Sequence, residues 1–143
     1  MAGRVISLQV CEQRHGPMSF RDEVKAVARG GLEGDIHADR DTRSVLLMDT
    51  ESLSALGLSP GDLREQVTVE LPGLQTLEFG ARLRLGDVEI EVSKPCDPCT
   101  HIGEHLGAED LEAMRRRLVG RRGILARVVG GGLVRVGDPV EVR

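Results

Sequence analysis

Apolar and polar residues alternate along several short stretches of this chain, and the period is that of half-buried β-strands. Val5 to Val10 carries the pattern first. Ser44-Val45-Leu46-Leu47-Met48 reads as a buried-type strand, and Val67 to Leu71 as another. Arg82 to Leu85 and Val88 to Val92 flank Gly86-Asp87, which predicts a hairpin. Leu83, Leu85, Val88, Ile90 and Val92 would face inward, and Arg82, Arg84, Glu89 and Glu91 would form a wet outer face. Ile124 to Val129 and Leu133 to Val136, joined by Gly130-Gly131-Gly132, predict a closing hairpin. After the Gly137-Asp138-Pro139 turn, Val140-Glu141-Val142 makes a last short strand.

Two helices interrupt the strands. Asp49 stands as an N-cap for a short helix reaching Leu56, with Gly57 as its stop. Asp110 to Val119 places Leu111, Met114 and Leu118 on one face. Glu109, Asp110 and Glu112 lie at its start and Arg115, Arg116 and Arg117 near its end, the order the helix dipole favours. Many short strands, tight turns and two modest helices predict a mainly β fold: a small, mostly antiparallel β-barrel with the 110–119 helix packed outside. No long linker, repeat or low-complexity segment divides the 143 residues, so residues 1–143 are expected to form a single domain.

Composition narrows the partners. A net charge of −4 argues against general affinity for nucleic acid or an anionic membrane. With 2 Phe and no Trp or Tyr, the chain lacks a platform for stacking bases. No apolar run approaches membrane-spanning length, and the N-terminal stretch alternates like a strand rather than a signal peptide. Its 3 Cys do not make a disulfide scaffold, so the expected setting is a reducing cytoplasm with free thiols.

The segment Lys94-Pro95-Cys96-Asp97-Pro98-Cys99-Thr100-His101 concentrates reactive side chains in a proline-stiffened turn. Thiolate is the best soft-metal ligand and sulfur nucleophile among side chains. Cys96 and Cys99 have the spacing of a pair able to exchange through a disulfide. Together with His101 and His105 they are zinc-type ligands, which opens an alternative: a non-catalytic zinc-binding or structural module. Four ligands from so short a segment crowd a tetrahedral site, and a partial site would use two or three of them. Cys11, in the first strand, is expected to serve packing.

His37 follows the glycine-rich segment Gly30-Gly31-Leu32-Glu33-Gly34-Asp35. It could donate to an oxyanion, with Asp35 setting its tautomer. Arg115, Arg116, Arg117, Arg121 and Arg122 form a basic cluster that is either a solvated helix end or a phosphate binder. Arg122, beside Gly123, is the candidate for the second role. No Ser-His-Asp arrangement has identifiable spacing, so hydrolase chemistry has no support.

Several separated segments then resemble one family. Gly31-Leu32-Glu33-Gly34-Asp35-Ile36-His37 is similar to its glycine–aspartate–histidine loop, and Arg43-Ser44-Val45-Leu46-Leu47 to the strand that follows. Pro60-Gly61-Asp62-Leu63-Arg64-Glu65-Gln66-Val67-Thr68-Val69, Leu83-Arg84-Leu85-Gly86-Asp87 and Pro98-Cys99 fall in the family's order. Arg122-Gly123-Ile124-Leu125-Ala126-Arg127-Val128 and Val136-Gly137-Asp138-Pro139-Val140 resemble its closing strands. The family is the MOSC domain, named for the C-terminal domain of molybdenum cofactor sulfurases, and the chain resembles a stand-alone member.

The resemblance implies a distorted β-barrel like that of the pyruvate kinase barrel domain. It implies that Cys99 handles sulfur as a persulfide or ligates molybdenum, with the molybdenum cofactor or another pterin or sulfur-containing small molecule as ligand. His37, Asp35, Glu65 and Arg122 would then line the cofactor site, and Cys96 and His101 would be accessory metal ligands beside Cys99. A cysteine desulfurase is the implied partner. Pyridoxal phosphate would belong to that partner, since Lys25 and Lys94, the chain's lysines, sit in no Schiff-base motif. Two departures mark this chain: Arg64-Glu65-Gln66 stands where the family often has Gly-Glu-Asn, and Ile36 where it often has a basic residue.

Overall fold

The computed structural model describes residues 2–38, 44–98 and 100–143. Its strands are β1 (Ala2–Cys11), β2 (Met18–Arg21), β3 (Glu23–Ala26), β4 (Val45–Asp49), β5 (Val67–Glu70), β6 (Arg82–Leu85), β7 (Val88–Pro95), β8 (Ile124–Gly130), β9 (Gly132–Arg135) and β10 (Pro139–Val142). The helices are α1 (Thr50–Ala55), α2 (Thr100–His105) and α3 (Leu111–Arg117), with a 3-10 turn at Leu74–Thr76.

Among the described residues, the order β10-β6-β7-β8-β4-β5-β1 closes on itself through a β1–β10 pairing. The result is a mixed barrel of seven strands, antiparallel except for the β4–β5 pair. β2 extends the sheet along β1 beyond β10. Val5 and Leu8, three positions apart, are both buried in the barrel core. A strict period of two would put them on opposite faces. The register of β1 against β5 shifts between Val5 and Ser7, and this bulge restores both to the interior.

The predicted 82–92 hairpin forms as β6 and β7. Leu83, Leu85, Val88, Ile90 and Val92 are buried, while Arg82 and Arg127 pair with Glu91 on the outer face. All residues of β4 are buried, because it serves two cores. Val45 and Leu47 join the barrel interior. Met48 joins a second cluster with Leu53, Leu56, Leu63, Ile102 and Leu118 that seats the helices outside the barrel. Asp49 caps α1 as expected, accepting a hydrogen bond from the Ser52 N–H at 2.9 Å. Asp110 does the same for α3 through Ala113.

The closing hairpin predicted from Ile124–Val129 and Leu133–Val136 does not form. β8 ends at Gly130 and β9 begins at Gly132, and one intervening residue cannot reverse a strand. The chain bends instead: β9 leaves β8 and pairs with β3, placing Val24, Ala26 and Val134 in the barrel core. Gly131 permits the passage, since a β-carbon there would sit 2.8 Å from the Ala26 carbonyl oxygen.

α2 falls within and beyond the stretch expected to be a turn. It packs closely on α3, and a β-carbon on Gly103 would lie 3.1 Å from Leu111 Cδ2. This contact brings His101, Ile102 and His105 over the loops that precede β4, β5 and β8.

Candidate functional site

Five segments meet around a cavity of about 330 Å³. Arg14 and His15 come from the β1–β2 loop, Ile36 and His37 from the loop after β3, and Arg64 from the turn before β5. His101, Ile102 and His105 come from α2, and Arg122 from the turn before β8. The chain has 4 His, and all of them line this cavity together with three arginines; among the described residues no carboxylate joins the lining.

A buried polar junction fixes His37. The Asp35 carboxylate accepts from the backbone N–H of Cys11 and of His37, each at 2.8 Å, and lies 2.9 Å from His37 Nδ1. The Gln66 amide also donates to it, at 3.3 Å. Gln66 is itself oriented, because its oxygen accepts from the Leu46 N–H at 2.7 Å. With Nδ1–H directed at Asp35, His37 turns Nε2 away from the junction. Burial pushes the Asp35 carboxyl up, but the His37 ring and the Cys11 and His37 amides together outweigh it and hold the carboxyl below its ordinary value.

Glu65 does not line the cavity. It is fully buried beneath it, where Thr68 Oγ1 donates to its Oε2 at 2.8 Å. Gln9 accompanies it there, donating to the Glu65 carbonyl at 2.7 Å. Burial raises the Glu65 carboxyl, against the opposing pull of Thr68, the Gly61 and Glu65 amides and the Arg122 charge. Glu65 Oε1 and Arg122 Nη1 are both buried, with no hydrogen-bond partner among the described residues.

Arg122 lies on the linings of two cavities. The second, about 340 Å³, includes Cys96, Asp97, Pro98 and Arg115. The turn carrying Arg122 is pinned from both directions: Gly123 N–H donates to Gln75 Oε1 at 3.0 Å, and the Cys96 N–H donates to the Gly123 carbonyl at 2.9 Å. Gln75 in turn donates to Asp49 Oδ1 at 2.8 Å. Cys96 and His101 therefore line different cavities, with Arg122 common to both. Cys99 lies outside the described residues. Among the described residues, no group of three or more His, Cys, Asp or Glu is placed to hold a metal ion. Cys11 is buried, with its sulfur 3.0 Å from the Gln13 carbonyl and 3.2 Å from Arg64 Nη2.

Of the expected site residues, the fold gathers His37, Arg122 and His101 at one cavity, with Asp35 behind His37 and Glu65 below. Arg14, His15 and Arg64 were not among the expected residues. His15 and Arg64 have φ of 61° and 62°, in the left-handed region. Arg64 carried a sequence signal: it stands where glycine is frequent in the family it resembles, and glycine is the residue that adopts this conformation without strain. Strained backbone of this kind tends to gather at functional sites.

Among the described residues, no helix is long and apolar enough to cross a membrane. Over residues 33–141 the sequence matches the MOSC domain family. The fold is similar to that of the YuaD protein from Bacillus subtilis, with a TM-score of 0.88 at 22% identity, covering 99% of this chain and 96% of that one. YiiM from Escherichia coli gives a TM-score of 0.77 at 21% identity, covering 100% of this chain and 70% of the other. YiiM from Geobacillus stearothermophilus gives 0.75 at 16% identity, covering 99% and 75%. At these identities the likeness concerns the fold. No curated protein matches the chain. With a family match over most of its length and a closed mixed barrel shared with these proteins, the chain belongs to the MOSC domain family.

Proposed function

We propose that this chain binds the molybdenum cofactor through its phosphate at the histidine cavity and handles sulfur, or ligates the metal, through Cys99. The observation that carries the reading is the lining itself: among the described residues it holds all the histidines and three arginines, and the carboxylate nearest His37, Asp35, sits behind the ring rather than on the lining. A buried Arg122 nitrogen without a hydrogen-bond partner among the described residues fits an anionic group, since an unmet buried charge donor is costly. Arg122 and Arg14 would hold phosphate oxygens by paired N–H bonds, and His37 would present Nε2 while Asp35 fixes its ring. When bound, the cofactor supplies molybdenum, a soft acceptor for thiolate sulfur.

The role of Cys99 rests on its match to the family cysteine. In sulfur transfer, the Cys99 thiolate attacks the terminal sulfur of a donor persulfide. A new S–S bond forms on Cys99, the donor's S–S bond breaks, and the donor leaves as its own thiolate. A cysteine desulfurase would be that donor, and would carry the pyridoxal phosphate.

The test is anaerobic purification from a molybdenum-replete host, followed by metal and pterin analysis. Wild-type protein should carry pterin and molybdenum. Arg122→Gln should lose pterin, and Cys99→Ser should lose sulfur or molybdenum loading. Stoichiometric zinc without pterin would overturn the reading in favour of a zinc module.

A further inference from the structure

The wall of the histidine cavity formed by Arg64, His15 and His105 has a second side. It also lines a neighbouring cavity of about 350 Å³, whose lining adds the apolar side chains of Pro17, Met18, Phe20 and Pro60. Phe20 is 63% exposed, and a β-carbon on Gly61 would lie 3.4 Å from its Cζ, so the ring rests on the 60–62 turn. Among the described residues Asp62 is the one carboxylate on this lining, and it accepts the Ser59 N–H at 2.8 Å.

Three features single out the shared wall. Arg64 holds a left-handed backbone that costs energy for any residue with a β-carbon. Among the described residues its guanidinium has the Cys11 sulfur as its hydrogen-bond partner and no carboxylate in an ion pair, which leaves most of its five N–H donors available. His15 and His105 stack beside it, with ring centroids 6.2 Å apart and planes inclined by 23°. Burial, followed by the charges of Arg64 and His15 and a smaller one from His101, holds His105 below its ordinary value, with Glu104 pulling the other way. These cationic and imidazole donors crowd one another, and a bound anion would relieve that crowding.

The geometry points to a second ligand site: an oxyanion subsite built from Arg64, His15 and His105, with the flat apolar body of an organic phosphate monoester lying against Phe20 and Met18. The site shares this wall with the histidine cavity but needs neither His37 nor Arg122, so its failure and the failure of the cofactor reading are told apart by different variants.

Isothermal titration with phenyl phosphate and with inorganic phosphate tests it. The proteins are wild type, Arg64→Asn, Arg64→Gly, Phe20→Ala and Arg116→Gln. Asparagine and glycine tolerate the left-handed backbone, so both Arg64 variants should keep the wild-type melting temperature or exceed it. Arg116 is exposed on α3 and controls for the loss of one charge. Wild type should prefer phenyl phosphate. Both Arg64 variants should bind it at least about tenfold more weakly, the equivalent of one charged hydrogen bond. Phe20→Ala should narrow the gap between the two probes, and Arg116→Gln should match wild type. Unchanged affinity in the Arg64 variants, no preference for phenyl phosphate in wild type, or an equal loss in Arg116→Gln would each overturn the proposal.

Discussion

Replacing Asp35 with asparagine should destabilise the protein well beyond what loss of a surface charge would. Among the described residues every polar contact to this carboxylate comes from a donor: two backbone N–H groups at 2.8 Å, the His37 ring at 2.9 Å and the Gln66 amide at 3.3 Å. Asparagine offers one acceptor oxygen and one NH₂, so on one side a donor must face a donor. The Cys11 amide is on a residue only 1% exposed, and water cannot replace the lost partner. A buried N–H left unmet costs about 1–3 kcal/mol, and conversion of charge-assisted bonds to neutral ones costs about 1 kcal/mol more. Asp35→Asn should therefore lose about 2–4 kcal/mol and Asp35→Ala about 3–5 kcal/mol, out of roughly 5–15 kcal/mol for a typical domain. Urea unfolding at neutral pH reads both. The carboxyl sits below its ordinary 3.8 in the folded chain, so its contribution is fully present above that value. The contribution of its charge then declines as pH falls through the folded value, and the gap between wild type and Asp35→Ala should narrow over that acidic range. Asp35→Asn within about 1 kcal/mol of wild type at neutral pH would refute the reasoning, since the donor-only geometry permits no such tolerance.

Glu65 gives the opposite pH signature. Burial raises its carboxyl, so its favourable contribution is complete below the unfolded value and is lost as pH rises through the folded one. In urea unfolding from pH 4 to 7, Glu65→Gln should gain on wild type as pH rises, and a flat or falling difference would contradict this. Gly131→Ala should cost about 1–3 kcal/mol by driving a β-carbon into the Ala26 carbonyl, and a neutral melting temperature would contradict that contact.

The barrel was legible where the strands alternate cleanly. Leu83 to Val92 announces both its hairpin and its buried face, and Asp49 announces its cap. β2 and β3 were not legible: each is 4 residues long, and two apolar residues in four are too few to establish a period. The Gly130–Gly132 triplet reads locally as a turn, and only its contact with Ala26 makes it a crossing point. The same holds at the site. His37 and Arg122 could be picked from their loops. The pairing of Arg64 with His15 depends on two left-handed residues in separate turns, and on α2 folding over both. Glu65 sits among motif residues that suggest a lining role, but the alternation entering β5 turns it inward beneath the cavity.

β4 links all of this, because its residues are buried on both sides and belong to two cores at once. Neither core can open while the other stays shut. Breaking the barrel strips Met48 of its backing, and peeling off the helices exposes the outer side of the central strand. The two layers should thus unfold as one cooperative unit. The Leu47 amide should exchange with solvent only through that global event, and Ile102 ties α2 to the same unit through the second core. Through Ile102, which lines the cavity and is buried against the Met48 cluster, the histidine cavity inherits the durability of the whole molecule.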